Sequence, residues 1–235
     1  MTWNKLAALG LAAMALVVGD PGRASAANLV VNGGFDADDI TGNKVNFQGN
    51  VTGWNGGANL TFLAAPGTAD DLSLYLAVYG SFPATSPQGG NFILADGDPN
   101  YSGVFSQTIS GLTIGQQYLL TFWQAAGQQY GFTGPTTEQW SVTFGADTQL
   151  SSLFTLPEAG VGPWQQQSML FTATGTSQTL SFLAVGTPGG APPISFLDGV
   201  ELNAVPEPST LSMMAVGALG LGFVRLRRRA QAASA

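Results

Sequence analysis

Residues 28–204 run as short β-rich segments broken by Gly, Pro, Asn and Asp, with no sustained helical period. The clearest segment is 139–144, where Trp140, Val142 and Phe144 alternate with Gln139, Ser141 and Thr143. Successive strand side chains point to opposite faces, so this alternation predicts one buried and one solvated face. Similar runs predict strands at 29–31, 60–63, 72–78, 91–95, 103–109, 118–126, 149–154, 166–172, 179–185 and 195–202. Segment 69–79 has a weak helical alternative and is read as strand. Ser110-Gly111 and Gly115-Gln116 are turn material between apolar runs. Many short strands with such punctuation specify an all-β sandwich or barrel.

Charge divides the chain. Six of its seven basic residues lie near the ends: Lys5, Arg23, Arg225, Arg227, Arg228 and Arg229. Within 28–204 only Lys44 remains, against twelve acidic residues, a net charge near −11. Such a field repels nucleic acid and anionic lipid and suits cations or neutral partners. The chain has no Cys and no His. That excludes disulfides, thiolate nucleophiles, Cys-based zinc sites and the Ser-His-Asp triad. Any metal must be held by oxygen ligands, which points to calcium.

The two ends have an order of their own. Lys5 precedes the apolar run 6–18, helix-breaking Asp20-Pro21-Gly22 follows, and Ala24-Ser25-Ala26 supplies a small-residue cleavage pattern. This is the order of a secretory signal, assigned to 1–27. At the other end, Val205-Pro206-Glu207-Pro208-Ser209-Thr210 precedes the apolar run 211–224 and the Arg cluster. The prolines stop the last strand, and the arginines act as a cytoplasmic stop, placing the body outside. Fourteen helical residues rise only about 21 Å, against about 30 Å of hydrocarbon. Segment 211–224 is therefore a marginal transmembrane helix.

The Pro206-Glu207-Pro208 motif, the apolar run and the arginines together resemble the PEP-CTERM sorting signal of Gram-negative bacteria, over 205–235. The resemblance implies an exosortase as processing partner beside signal peptidase. It also implies passage through the inner membrane to the cell surface or matrix, and an association with exopolysaccharide. A plain membrane anchor is the alternative. The body shows a second resemblance. Asn28-Leu-Val-Val-Asn-Gly-Gly-Phe-Asp36, the stretch 106–123 and Phe196-Leu-Asp-Gly-Val-Glu-Leu202 resemble successive parts of galactose-binding-like jelly rolls. This implies that 28–204 is one antiparallel jelly-roll β-sandwich.

Four chemistries have candidates in the body. The jelly-roll resemblance implies a structural calcium at Asp36 and Asp198, with Asp38 and Asp39 nearby; the alternative is turn capping. Asp96, Asp98 and Asn100 match the first three ligand positions of a calcium loop. Tyr101 and Gln107 replace that motif's Gly and Glu, so an Asx turn is the stronger reading. Aromatic and amide side chains offer a sugar-binding surface. Tyr130, in a Gly-rich segment, leads those candidates, with Trp54 and Trp164 behind; each Trp is more readily a core residue. Asp96, Asp98, Glu138 and Glu158 could serve a glycoside hydrolase or lyase, but no spacing selects a pair. The sequence thus reads as an exported, non-catalytic surface or matrix protein. A carbohydrate-binding module with a defined glycan is the alternative, and a carboxylate-dependent hydrolase or lyase a weaker one.

Overall fold

The computed structural model describes residues 27–57 and 60–206. Twelve strands occur among them: β1 (Lys44–Asn46), β2 (Asn55–Gly56), β3 (Thr61–Ala64), β4 (Phe92–Asp96), β5 (Phe105–Ser110), β6 (Gln117–Gln128), β7 (Thr136–Phe144), β8 (Asp147–Leu150), β9 (Phe154–Leu156), β10 (Val161–Thr172), β11 (Ser177–Thr187) and β12 (Pro193–Ala204). One sheet has the order β1-β3-β4-β12-β6-β10. The other runs β2-β5-β11-β7-β8, with β9 also on β7. All pairings are antiparallel. From β4 to β7 and from β10 to β12, successive strands alternate between the sheets. That is an antiparallel jelly-roll β-sandwich, as expected.

Alternation builds the core. Trp140, Val142 and Phe144 of β7 face Leu120 and Phe122 of β6 and Leu197 and Leu202 of β12 within one buried cluster. Phe182 of β11 stacks on Phe105 of β5, with ring centroids 5.7 Å apart. Trp140 spends its indole N–H on the Phe196 carbonyl of the opposite sheet, at 2.9 Å. This bond removes the desolvation penalty of a polar atom between two sheets.

The first sheet is buried on both faces over β3, β4 and most of β12. Phe62, Phe92, Leu94, Ile194 and Phe196 point away from the inter-sheet core, into a second cluster with Ala69, Leu76, Val78 and Phe82. Those last four lie in the long β3–β4 connection, which covers the outer face. This cover explains why β3, β4 and most of β12 are continuously buried rather than alternating.

The cover is also where strand reading fails. Segment 72–78 is a series of turns, with only Val78 bridging to Gln129. Asp71 accepts hydrogen bonds from the Ser73 N–H and hydroxyl, and Asp70 from the Phe82 N–H. Lys44 donates to the carbonyls of Ala69, Tyr75 and Leu76. Side chains outside the segment thus fold it, and local periodicity cannot register them. Segment 29–31 forms no strand, although the Leu29 N–H bonds the Leu202 carbonyl at 3.0 Å. Segment 149–154 divides into the end of β8 and the start of β9. Strands β1 and β2 escape the sequence reading because two or three residues carry no pattern.

Candidate functional site

A pocket of about 420 Å³ opens where β4 and β6 end and β12 begins. Leu60, Leu76 and Pro192 are among its apolar lining, Gln129 adds an amide, and Tyr75, Tyr101 and Phe132 supply aromatic rings. Those three rings are well exposed, at 67, 50 and 37%. Tyr75 packs on Phe62, ring centroids 5.5 Å apart. The Tyr79 hydroxyl donates to the Phe132 carbonyl at 2.9 Å, and Tyr79 packs against Tyr130 at 5.1 Å. Tyr130 is thus exposed beside the pocket, as its Gly-rich surroundings suggest. Leu76 holds a positive φ of 57° on the pocket wall.

Asp96 also lines this pocket and is completely buried. Its Oδ1 accepts the Asp98 N–H at 2.8 Å, whereas Oδ2 has no hydrogen-bond partner. Burial pushes the Asp96 carboxyl up to about 6, against the Asp98 N–H bond and with the nearby Asp98 charge adding to the rise. Asp98 behaves oppositely. Its oxygens accept the Asn100 and Gly190 N–H groups and the Asn100 amide, and these bonds hold it below the usual carboxylate range. The Tyr101 and Ser102 N–H groups close on the Asp98 carbonyl. Segment 96–102 is thus an Asx-capped turn in which Asp98 and Asn100 spend their polar groups on one another. It does not present converging calcium ligands.

The Asp36–Asp198 pair lies elsewhere on the first sheet. Asp198, completely buried on β12, accepts bonds from the Ser86 hydroxyl and the Gly199 N–H. Burial pushes its carboxyl up to about 7; those two bonds oppose the rise, and the Asp36 charge adds to it. Asp36 accepts the Asn91 N–H at 2.7 Å. Gly90 sits against it at φ 71°, where a Cβ would strike the carboxylate. Gly33 is equally constrained, because a Cβ there would strike the Val200 carbonyl. The fold therefore brings the first segment and the last strand together at two carboxylates. An oxygen-seeking cation fits this donor set in kind, with Asp36, Asp198 and the Ser86 hydroxyl as side-chain donors. No group of three or more acidic side chains placed to hold a metal ion occurs among the described residues. Asp38 is occupied by the Thr52 N–H and hydroxyl, and Asp39 by those of Thr41. Both are turn caps.

Trp54 is a core residue. It is 5% exposed, packs on Phe35, Phe105 and Phe182, and donates its indole N–H to the Asn32 carbonyl. Trp164 is partly buried, edge-on to Phe82, Phe92 and Phe196, with its Nε1 buried and unpartnered. The buried Trp54 ring offers no face to a sugar. The sequence reading missed Phe132 as a pocket residue, whereas Tyr75, Tyr101 and Gln129 are among the aromatic and amide side chains it offered as a sugar-binding surface. Phe132 was masked by the Gly-rich context that singled out Tyr130, and the misread cover hid that Tyr75 reaches the same pocket. Ser86 sits between Pro83 and Pro87, where a turn was the only signal.

The sorting peptide follows β12 directly. Val205 donates its N–H to the Gln117 carbonyl at 2.9 Å and accepts from the Gln116 amide at 2.6 Å. Pro206 is then exposed. Glu207, Pro208, the apolar run 211–224, Arg225, Arg227, Arg228 and Arg229 lie outside the described residues, as does the signal segment up to residue 26. No helix among the described residues is long and apolar enough to cross a membrane.

No curated protein matches the chain in sequence. Among solved structures it is similar to TmCBM61 in complex with β-1,4-galactotriose, at 15% identity, covering 76% of this chain and 99% of that one, with a TM-score of 0.46. It is also similar to a CBM4 structure, at 17% identity, 75% and 99% coverage and a TM-score of 0.37. A third is the K1 cleaved adhesin domain of Lys-gingipain from Porphyromonas gingivalis, at 14% identity, 74% and 96% coverage and a TM-score of 0.37. These are distant likenesses, and the fold rests on its own strand order. The PEP-CTERM protein-sorting motif matches residues 204–229. A β-sandwich whose last strand runs straight into that motif is a protein that carries the PEP-CTERM sorting signal.

Proposed function

We propose that this is an exported surface or matrix protein, trimmed at both ends, whose sandwich is non-catalytic and holds extracellular polysaccharide. The observation that carries this reading is the sorting motif at 204–229, which starts on the final residue of β12. Val205 is bonded to the first residue of β6, and Pro206, the first proline of the motif, is exposed. An exosortase acting at Pro206-Glu207-Pro208 would then work beyond the last strand, on a motif whose first proline is exposed. Intact mass of the protein recovered from its native host tests this. Loss of both the leading segment and the apolar tail is expected. A retained tail would reduce the signal to a plain anchor and remove the exosortase.

The exposed aromatic pocket supports polysaccharide as the partner, since sugars offer apolar CH faces to aromatic rings. A calcium ion joining Asp36 to Asp198 belongs to the same proposal. It is supported by two neighbouring carboxylates, one of them completely buried, in a body with one basic residue. When bound it would neutralise both charges and tie the first segment to the last strand. Against a hydrolase, Asp98 is consumed by its turn, and Glu138 lies inside the sandwich rather than in the pocket.

A further inference from the structure

The sandwich proposed to hold polysaccharide contains a pocket with an unusual electrostatic character. Asp96 is a completely buried carboxylate with one oxygen unpartnered. A buried charge is costly unless a counter-charge or donor meets it. Only one basic side chain, Lys44, occurs between residues 28 and 204. It is committed to the carbonyls of Ala69, Tyr75 and Leu76. Asp98, two residues away, adds a second negative charge to the same loop.

The pocket's aromatic rings add to the same sign. Tyr75, Tyr101 and Phe132 present rings whose faces carry partial negative charge, and such faces attract ammonium groups within about 6 Å. Its volume, about 420 Å³, lies within the roughly 300–1,000 Å³ of small-molecule sites. A neutral hydroxyl can use Asp96 only by reaching Oδ2, and that atom lies beneath the surface. A positive charge needs no contact, because its attraction to a buried carboxylate acts across several ångströms of low dielectric.

We propose that the pocket formed by Asp96, Tyr75, Tyr101 and Phe132 binds a positively charged amine, specifically a hexosamine unit bearing a free ammonium group within an extracellular polysaccharide. The assignment rests on the polysaccharide reading above and narrows it to partly or fully deacetylated amino-sugar polymers. Asp96 supplies the counter-charge, the three rings supply the apolar and cation-binding walls, and Gln129 is placed to meet a ring hydroxyl.

The test uses the full chain purified in a mild detergent, titrated calorimetrically at low salt with three tetrasaccharides. These are a β-1,4-linked glucosamine tetramer, its fully N-acetylated counterpart and a neutral β-1,4-glucan. The glucosamine tetramer is expected to bind at least about tenfold tighter than either other ligand, a difference of about 1.4 kcal/mol. Asp96→Asn should abolish that preference. Tyr101→Ala alters a half-exposed ring. It should weaken glucosamine binding about fivefold or more while leaving the melting temperature unchanged, so the test stands even if Asp96→Asn misfolds. Equal binding of all three tetramers would overturn the ammonium assignment and leave the polysaccharide reading intact. Binding of none would overturn both. A simple diamine binding as tightly as the glucosamine tetramer would overturn the hexosamine assignment. A preference surviving in a folded Asp96→Asn protein would overturn the role of Asp96.

Discussion

Asp96, Glu138 and Asp198 are completely buried, and burial is the main force on each carboxyl. Asp96 is raised to about 6, Glu138 and Asp198 to about 7. In the unfolded chain these groups titrate near 4. Between those limits the folded state holds more protons than the unfolded one, so stability falls as pH rises through the window. The contribution is complete below about pH 4 and is lost by about pH 7. Asp39, Asp71 and Asp98 are lowered by hydrogen bonds, and their contribution is lost only in more acidic solution. A higher melting temperature at pH 5 than at pH 8 is therefore expected. Glu138 is the clearest single case. It shares the inward face of β7 with Trp140, and the Thr136 hydroxyl lies near without bonding geometry to either carboxylate oxygen. Glu138→Gln should stabilise the protein at pH 8 by about 1–3 kcal/mol and change little at pH 5. An equal shift at both values, in thermal melts of the two proteins, would show that the Glu138 charge is not the cost. Burial of this residue was not legible in the sequence, where Glu at a β position reads as solvent-facing. The inward face of β7 was legible through Trp140, Val142 and Phe144, and Glu138 simply continues that face towards one end.

At the level of elements, strands of five or more residues were legible because period-two alternation or a continuous apolar run survives over that length. The β3–β4 connection was not. Its apolar residues, Ala69, Leu76, Val78 and Phe82, follow no period, since each is placed by a separate turn and a separate cap. Its energetic role is still strand-like, because it buries the outer face of β3, β4 and β12. Phe82 stacks on Phe196 with ring centroids 4.1 Å apart and is 6% exposed. Phe82→Ala is expected to cost about 3–5 kcal/mol. In a domain of this size that lowers the melting temperature by roughly 6–20 °C. Limited proteolysis should then cut within 65–91 before any other segment. A melting temperature within a degree of the parent would mean that the outer face does not depend on its cover. The pocket was illegible for the same reason as the cover: Tyr75 reaches it on a turn, and Phe132 reaches it on another turn held by Tyr79.

For the whole molecule, the opening and closing segments were legible as a matched pair, because each carries a short fixed motif. Their contact is extensive. The Asn28 side chain donates to the Val200 carbonyl and accepts from Leu202 N–H, and the Val200 N–H bonds the Gly33 carbonyl. The Asp36–Asp198 pair lies in the same seam. If calcium occupies it, saturating ion at about a hundred times its dissociation constant adds about 2.7 kcal/mol. That is a rise of roughly 5–11 °C in the melt. Asp198→Asn should abolish the response. An unchanged melt at saturating calcium would leave Asp36 and Asp198 as ordinary turn residues, held by the Asn91, Ser86 and Gly199 bonds they already make.

Strand β12 sets the distance between what holds this molecule and what it can hold. Its last residue, Ala204, meets the sorting motif, while its first, Pro193, adjoins Pro192 on the pocket wall. Twelve residues at about 3.3 Å each span roughly 40 Å. A body fixed through its sorting peptide therefore works as a rigid stalk and carries its aromatic mouth at the far tip. The mouth is thereby held about the length of one strand, roughly 40 Å, from the residue where the sorting motif begins.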